Sequence, residues 1–392
     1  MGWNMEMPRI SQDPTEPAFV QDPYPHYARM RALGPLVFWE EYRMPCATTN
    51  AAVMAVLKHR GMGRERRPAL EVPARLAPFY AIEAHSMLEL EPPRHTRLRG
   101  LVLRAFTSRR VGALRPEVAT LCDALIDAFP EGPFDLLPAY CTPIPVTVIA
   151  RLLGVPDADA PDLLRWSTGM VGMYQAGRTR AMEDAAVAAT AEFVDYLRCV
   201  IAVKRRAPKD DLLSELIAAR DGADRLSEEE MVTTAILLLN AGHEATVHAL
   251  GNAVARLLAD GWVPGNPARA AEEALRFDPP LHLFTRQTYE DVVVEGIAIP
   301  AGTEVAALLA SAGRDPAAHD GPDGFDPERA PKANAAFGGG IHFCVGAPLA
   351  RLEIEVALER LFARRPALRL AGEARYAPIY HFHGLAALPV RP

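Results

Sequence analysis

The sequence predicts a mainly α protein with small β-sheets, and three observations carry that expectation. Helix patterns dominate from residue 111 onward; the longest opens on the capping box Ser227-Glu228-Glu229-Glu230 and runs to about Asp260. Short alternating stretches at residues 36–39, 282–286 and 292–302 read as minor sheets. The 392 residues are 49% hydrophobic, which suffices for a large buried core.

Taken in order, residues 1–20 are polar and proline-bearing, and we expect an irregular lead-in there. Asp22-Pro23-Tyr24-Pro25-His26 starts a short helix that Gly34-Pro35 ends. Leu36-Val37-Phe38-Trp39 is a strand with a hairpin partner near Cys46, followed by a helix over 50–58 with Asn50 as its N-cap. Residues 60–92, rich in proline and arginine, predict a long covering loop. A helix enters at Pro92-Pro93, and His95 and Arg99, four apart, share its face. On these residues alone, a solvated basic face competes with a grip on an acid group. Thr107 caps the next element; helices then cover 111–129, 145–153, 160–175, 180–205 and 211–220. The methionine-rich segment 154–185, with Trp166 and Tyr174, reads as a lid or as core packing.

The long helix has an unusual middle. Leu237-Leu238-Leu239 gives way to Asn240-Ala241-Gly242-His243-Glu244-Ala245-Thr246. A glycine inside a helix costs roughly 1 kcal/mol against alanine. The Ala241-Gly242 pair therefore suggests a close neighbour, a flat cofactor or another helix. A helix over 267–277 follows, where Glu273 and Arg276 meet on one face. His282 and Phe284 begin the small sheet, and Phe325-Asp326-Pro327-Glu328-Arg329 is turn-rich. The chain ends in a strand-turn at 379–384, where His381 and His383 share a face and read as strand residues rather than metal ligands.

The formal net charge is −7, which implies no nucleic-acid partner. The five cysteines (Cys46, Cys122, Cys141, Cys199 and Cys344) are scattered, without CxxC pairs, as suits a reducing compartment. Neither a signal pattern nor an 18-residue apolar run occurs. We therefore expect a cytoplasmic protein with no membrane partner. No second cofactor motif appears, so electrons, where needed, would come from separate proteins.

One stretch organises the rest: Phe337-Gly338-Gly339-Gly340-Ile341-His342-Phe343-Cys344-Val345-Gly346. A helix pattern begins directly after it, with Pro348 suited to a first turn. Helix-end amides favour a thiolate at Cys344. The glycines let backbone approach a flat ligand closely. A soft thiolate on an apolar loop is what a haem iron needs, which makes Cys344 the candidate metal ligand.

Together these motifs resemble the cytochrome P450 family of the bacterial type, over nearly the whole chain from Asp22-Pro23-Tyr24-Pro25 to the last strand. The cysteine loop carries the family's F-x-x-G-x-H-x-C-x-G pattern. Glu273-x-x-Arg276, the 325–329 stretch and Ala241-Gly242-His243-Glu244 fall in the family's order. The resemblance implies a single domain over 1–392 and a haem b held between the long central helix and the cysteine-loop helix. It implies that Cys344 is the axial thiolate, and that His95, Arg99, Arg286 and His342 bind the haem propionates. Ala241, Phe337, Gly338 and Gly346 would lie against the ring. Glu273, Arg276 and Arg329 resemble a structural ion-pair triad. Leu237, Asn240, Ala241, His282, Phe284 and Phe382 would face the substrate.

The implied activity is a monooxygenase: R–H, O2, two electrons and two protons give R–OH and water. A ferredoxin or flavodoxin with its NAD(P)H reductase would deliver the electrons to a monomer. The catalytic set would be Glu244, Ala245 and Thr246, and here the chain departs from the family. Relatives carry a threonine where this chain has Ala245, and its hydroxyl helps deliver protons. Thr246 lies about 100° further round the helix. The departure admits peroxide-driven or oxidative-coupling haem-thiolate chemistry as an alternative; a non-catalytic haem sensor is another.

Overall fold

A computed structural model describes residues 7–69, 71–174, 177–219, 225–378 and 382–392. The chain begins with β1 (Arg9–Ile10) and α1 (Pro17–Gln21). The lead-in is thus not irregular throughout: β1 runs parallel to β2 and α1 buries Phe19 and Val20. Next come α2 (Tyr24–Leu33), β2 (Leu36–Trp39), β3 (Met44–Ala47) and α3 (Asn50–Lys58). Thr49, not Asn50, caps α3, its side chain accepting from the Ala52 N–H. The expected covering loop contains β4 (Met62–Gly63) and α4 (Ala77–Glu83).

The helical body follows: α5 (Arg94–Ala105), α6 (Ser108–Ala113), α7 (Arg115–Asp127), a short β5 (Phe134–Asp135), α8 (Pro143–Leu153), α9 (Ala160–Val171), α10 (Arg180–Arg206), α11 (Leu212–Ala218) and α12 (Glu228–Ala259). The 111–129 helix is split at Leu114. The capping box at α12 is present: Ser227 accepts from the Glu230 N–H at 3.2 Å and its own N–H donates to Glu230 Oε2 at 2.9 Å. Within the methionine-rich segment Trp166, Met170 and Met173 are buried, so core packing accounts for them. The Tyr174 hydroxyl donates to Glu83 Oε2 at 3.0 Å.

The chain then forms α13 (Pro267–Phe277), β6 (Leu283–Thr288), β7 (Val292–Val294), β8 (Ile297–Ile299), β9 (Glu304–Leu308), α14 (Leu309–Gly313), α15 (Ala347–Arg364), β10 (Arg369–Leu370), β11 (Arg375–Tyr376), β12 (Leu385–Ala387) and β13 (Pro389–Arg391). A six-stranded sheet runs β1-β2-β3-β9-β6-β4, and β10-β13-β5 form a smaller one. The expected strand at 379–384 falls partly outside the described residues, as does His381; Phe382 makes an isolated bridge to Leu281. Helix α12 runs through the largest core cluster and packs on α8, α9, α10, α13 and α15. The site therefore lies between the middle of α12 and the start of α15. No helix among the described residues is long and apolar enough to cross a membrane.

Candidate active site

The cysteine loop is folded by its own backbone. The Cys344 N–H donates to Phe337 O at 3.0 Å, and the Gly338 N–H to Ala335 O at 2.8 Å. Gly340 has φ +69°, and a Cβ there would collide with Leu57 O, so only glycine serves. The loop presents Cys344 to accessible space at the start of α15. Burial raises the thiol above its ordinary value, while the Gly346 and Ala347 N–H groups, then Arg99 and Arg351, work against it. The amides thus favour the thiolate as expected but lose to burial; a coordinating metal would reverse that, because it deprotonates a thiol outright. The Arg351 guanidinium lies 4.5 Å from the Phe337 ring centroid.

On the facing side, α12 is buried along most of its length, yet Ala241 is exposed and Leu237, Asn240, Glu244 and Ala245 are half-buried. Such an opening in the middle of a core helix marks an internal cleft. The small pair divides its work. A Cβ at Gly242 would stand 3.0 Å from Ile149, so Gly242 serves the crossing with α8. Only Ala241 opens to the cleft.

Burial pushes the Glu244 carboxyl up to about 7, and its Oε2 is buried without a partner. Asn240 donates to Met170 Sδ at 3.7 Å and leaves Oδ1 unpartnered. Thr246 is buried.

The cationic set gathers at one edge. Arg99 donates to Phe343 O at 2.6 Å. Arg286 is 3% exposed, and its one hydrogen bond goes to the adjacent Thr285 O at 2.9 Å. Among the described residues no carboxylate lies within ion-pair distance of it. Burial and the neighbouring Arg64 pull its guanidinium down to about 10. The His95 and His342 rings lie 4.4 Å apart, and His95 Nδ1 is buried without a partner. Burial, then His342 and Arg99, pull His95 down to about 4. His342 Nε2 is committed to Glu91 Oε1 at 2.9 Å. Burial alone would raise Glu91, but the bonds from His342 and the Arg64 N–H hold it below its usual value. Sequence reading missed Glu91; its signal was the four-residue spacing to His95.

The geometry fits a haem. A buried guanidinium without a carboxylate is costly unless an anion meets it. Arg286 supplies that demand, His95 an orphaned nitrogen, Cys344 an accessible sulfur, and Ala241 a bare wall opposite.

Three comparisons bear on the site. The cytochrome P450 family model matches residues 269–364, which hold Glu273, Arg276, Arg286, Arg329 and the cysteine loop. The cytochrome P450 monooxygenase PikC of Streptomyces venezuelae is 39% identical over 95% of this chain and 92% of its own length. The chain is a cytochrome P450.

Vitamin D(3) 25-hydroxylase of Pseudonocardia autotrophica is 40% identical over 95% of this P450 and 94% of its own length. Among solved structures, P450BioI in complex with hexadec-9Z-enoic acid ligated acyl carrier protein superposes at TM-score 0.90, with 31% identity over 96% of this chain and 99% of that one. This P450 is a haem-thiolate monooxygenase with haem b as its cofactor. It inserts one oxygen atom of O2 into a small organic substrate, with electrons from separate redox proteins.

The remaining expected residues divide. The Phe284 ring lies 3.2 Å from where a Gly338 Cβ would stand, which puts it beside the cysteine loop. Phe382 lies 5.7 Å from the His248 ring. His282 is a correction: it has no exposed surface, its Nδ1 meets the Tyr27 hydroxyl at 2.9 Å, and its ring lies 4.4 Å from His383. A side chain so enclosed cannot face a substrate.

The triad residues meet as expected. Arg276 Nε and Nη2 each reach Glu273 at 2.7 Å, and Arg329 Nε reaches Glu273 Oε1 at 3.1 Å.

Proposed function

We propose that Cys344 ligates the haem iron and that His95, Arg99, Arg286 and His342 hold its propionates. The observation that carries this reading is Arg286, a buried cation with no carboxylate partner among the described residues. Ala241, Phe337, Gly338 and Gly346 form the surfaces against the ring. Glu273, Arg276 and Arg329 hold the fold around the loop. The chain acts as one domain over 1–392. When bound, the haem supplies O2 activation at a thiolate-ligated iron.

The chain's own residues bind substrate and move protons. Leu237, Ala241, Phe284 and Phe382 give an apolar wall, and Asn240 a single polar fix. The relatives' names span a vitamin D(3) hydroxylase and a nocardicin C N-oxygenase, so the wall rather than the machinery sets the substrate. The Asn240 amide meets a substrate oxygen. Asn240→Leu raises the dissociation constant of the native substrate about fivefold to tenfold, the worth of one hydrogen bond. A spin-shift titration reads it, and unchanged affinity removes Asn240 from the pocket.

Glu244, held near neutrality, gives and takes protons at working pH. Ala245 offers no hydroxyl, so a polar substrate group, or water held by Glu244 and Thr246, completes the relay. Under this reading Ala245→Thr changes the coupling of NADH to product by less than about twofold on the true substrate. A sharp rise in coupling with no loss of turnover rules substrate assistance out.

A ferredoxin or flavodoxin, reduced by its NAD(P)H reductase, docks on the cysteine-loop side of a cytoplasmic monomer. Ile341 and Phe343 are exposed there, at 50% and 39%. Of the arginines near that side, Arg97 is engaged with Glu230.

A further inference from the structure

Helix α12 carries a pattern that holding the haem does not require. Asn240, Glu244, His248 and Asn252 stand four residues apart, so they climb one ridge of the helix. Each has one buried polar atom without a hydrogen-bond partner: Asn240 Oδ1, Glu244 Oε2, His248 Nδ1 and Asn252 Oδ1. Among the described residues no other helix gathers more than two such atoms. Leaving one unsatisfied costs about 1–3 kcal/mol. Four in line are affordable only where water reaches them.

The spacing suits water. Four residues of helix rise about 6.0 Å. Two hydrogen bonds of about 2.9 Å, end to end, span nearly the same distance. A single water between each pair therefore closes the line.

The ends of the ridge are defined. Asn252 donates to His383 O at 2.9 Å and Asp278 O at 3.4 Å. That end meets the buried Asp278–His383 contact at 3.0 Å, where the Tyr24 and Tyr376 hydroxyls each donate to Asp278 at 2.6 Å. The C-terminal turn packs directly on the relay residue: a Cβ at Gly384 would overlap the His248 ring, so the glycine is what lets the ring lie there. Toward the cleft, Glu244 and Asn240 are half-buried.

We propose that this ridge holds a chain of ordered waters that feeds protons to Glu244, with His248 as the relay, in place of a supply through a hydroxyl at position 245. It rests on the reading of Glu244 as the group that hands protons to the cleft. A proton reaches one ring nitrogen of His248 as another leaves the other nitrogen. Glu244 then accepts on Oε2 and releases from its other oxygen; the number of protons in the chain is unchanged, and a tautomer exchange at His248 and a turn of the Glu244 carboxyl reset it. Burial, with His243 and His383 as its titratable neighbours, pulls His248 down to about 4. At neutral pH its ring is therefore uncharged, with one N–H and one lone pair, as a relay needs.

The test uses the haem-loaded protein at rest and in turnover. His248→Phe keeps a ring beside Phe382 and removes both nitrogens. In the resting protein, the infrared band of the protonated Glu244 carboxyl, identified by its loss in Glu244→Gln, moves to higher pH by about one pH unit as water leaves the ridge. In turnover, coupling falls about tenfold, while substrate affinity by spin shift is unchanged. His248→Gln keeps a polar contact for the waters but cannot carry a proton; it restores the band and leaves coupling low.

If Glu244→Gln impairs coupling while His248→Phe moves neither band nor coupling, the water line is overturned and the Glu244 reading stands. If Glu244→Gln leaves coupling intact, both fall. Full coupling in His248→Gln makes His248 a water anchor and overturns the relay.

Discussion

Cys344→Ser abolishes the thiolate-type carbon monoxide difference spectrum and lowers monooxygenase turnover by on the order of a thousandfold or more, a loss of roughly 4 kcal/mol or more of barrier lowering. The loss is chemical rather than structural. The loop is held by backbone bonds, from the Cys344 N–H to Phe337 O and from the Gly338 N–H to Ala335 O, and serine preserves both. What serine lacks is the soft thiolate that pushes electron density onto iron. Circular dichroism and thermal unfolding should match the parent, while the spectrum and turnover collapse together. Retention of the parent spectrum in Cys344→Ser would place the iron ligand elsewhere.

Arg276→Ala costs about 3–5 kcal/mol of stability, the usual consequence of stripping one partner from a buried ion pair. Arg276 is 3% exposed and binds Glu273 twice. It also donates to Gly313 O at 2.7 Å, Pro322 O at 2.8 Å and Gly324 O at 3.2 Å. Its removal takes the side-chain donor from Gly313 O and Pro322 O, leaves Gly324 O with Arg329 Nη2 at 3.1 Å, and leaves Glu273 with Arg329 as its cationic partner. Against total stabilities of roughly 5–15 kcal/mol, most of the margin is lost. Denaturant unfolding measures the drop, and haem content per chain falls with it. Arg276→Lys does not rescue, because an ammonium cannot reproduce the planar fork that reaches Glu273 and the carbonyls together. A loss below about 1 kcal/mol would reduce the triad to a surface-grade ion pair.

Legibility followed the range of the interaction. Helix α12 was readable because its capping box and apolar run are local, and its start falls at Glu228. The cysteine loop was readable because glycines, the cysteine and the following proline act within ten residues of one another. The region 60–92 misled because proline and arginine hide α4, a helix that buries only Phe79. His282 misled for a different reason. Its place beside the cleft was inferred from its position in the chain, but Tyr27, 255 residues earlier, draws it into a separate buried cluster.

The sequence by itself determined the mainly helical class, the cysteine loop, the Glu273–Arg276 pair and the alanine at 245, all of them matters of residue identity and short spacing. Only the tertiary structure decided which group each side chain meets. It assigned Gly242 to the crossing with α8 and Ala241 to the cleft, tied His342 to Glu91 across 251 positions, and left Arg286 buried without a carboxylate among the described residues. It also showed that four polar residues on one helix ridge each leave one buried atom unpaired. The physical reason is desolvation: whether a polar atom is costly or useful depends on what surrounds it, and those surroundings come from distant parts of the chain.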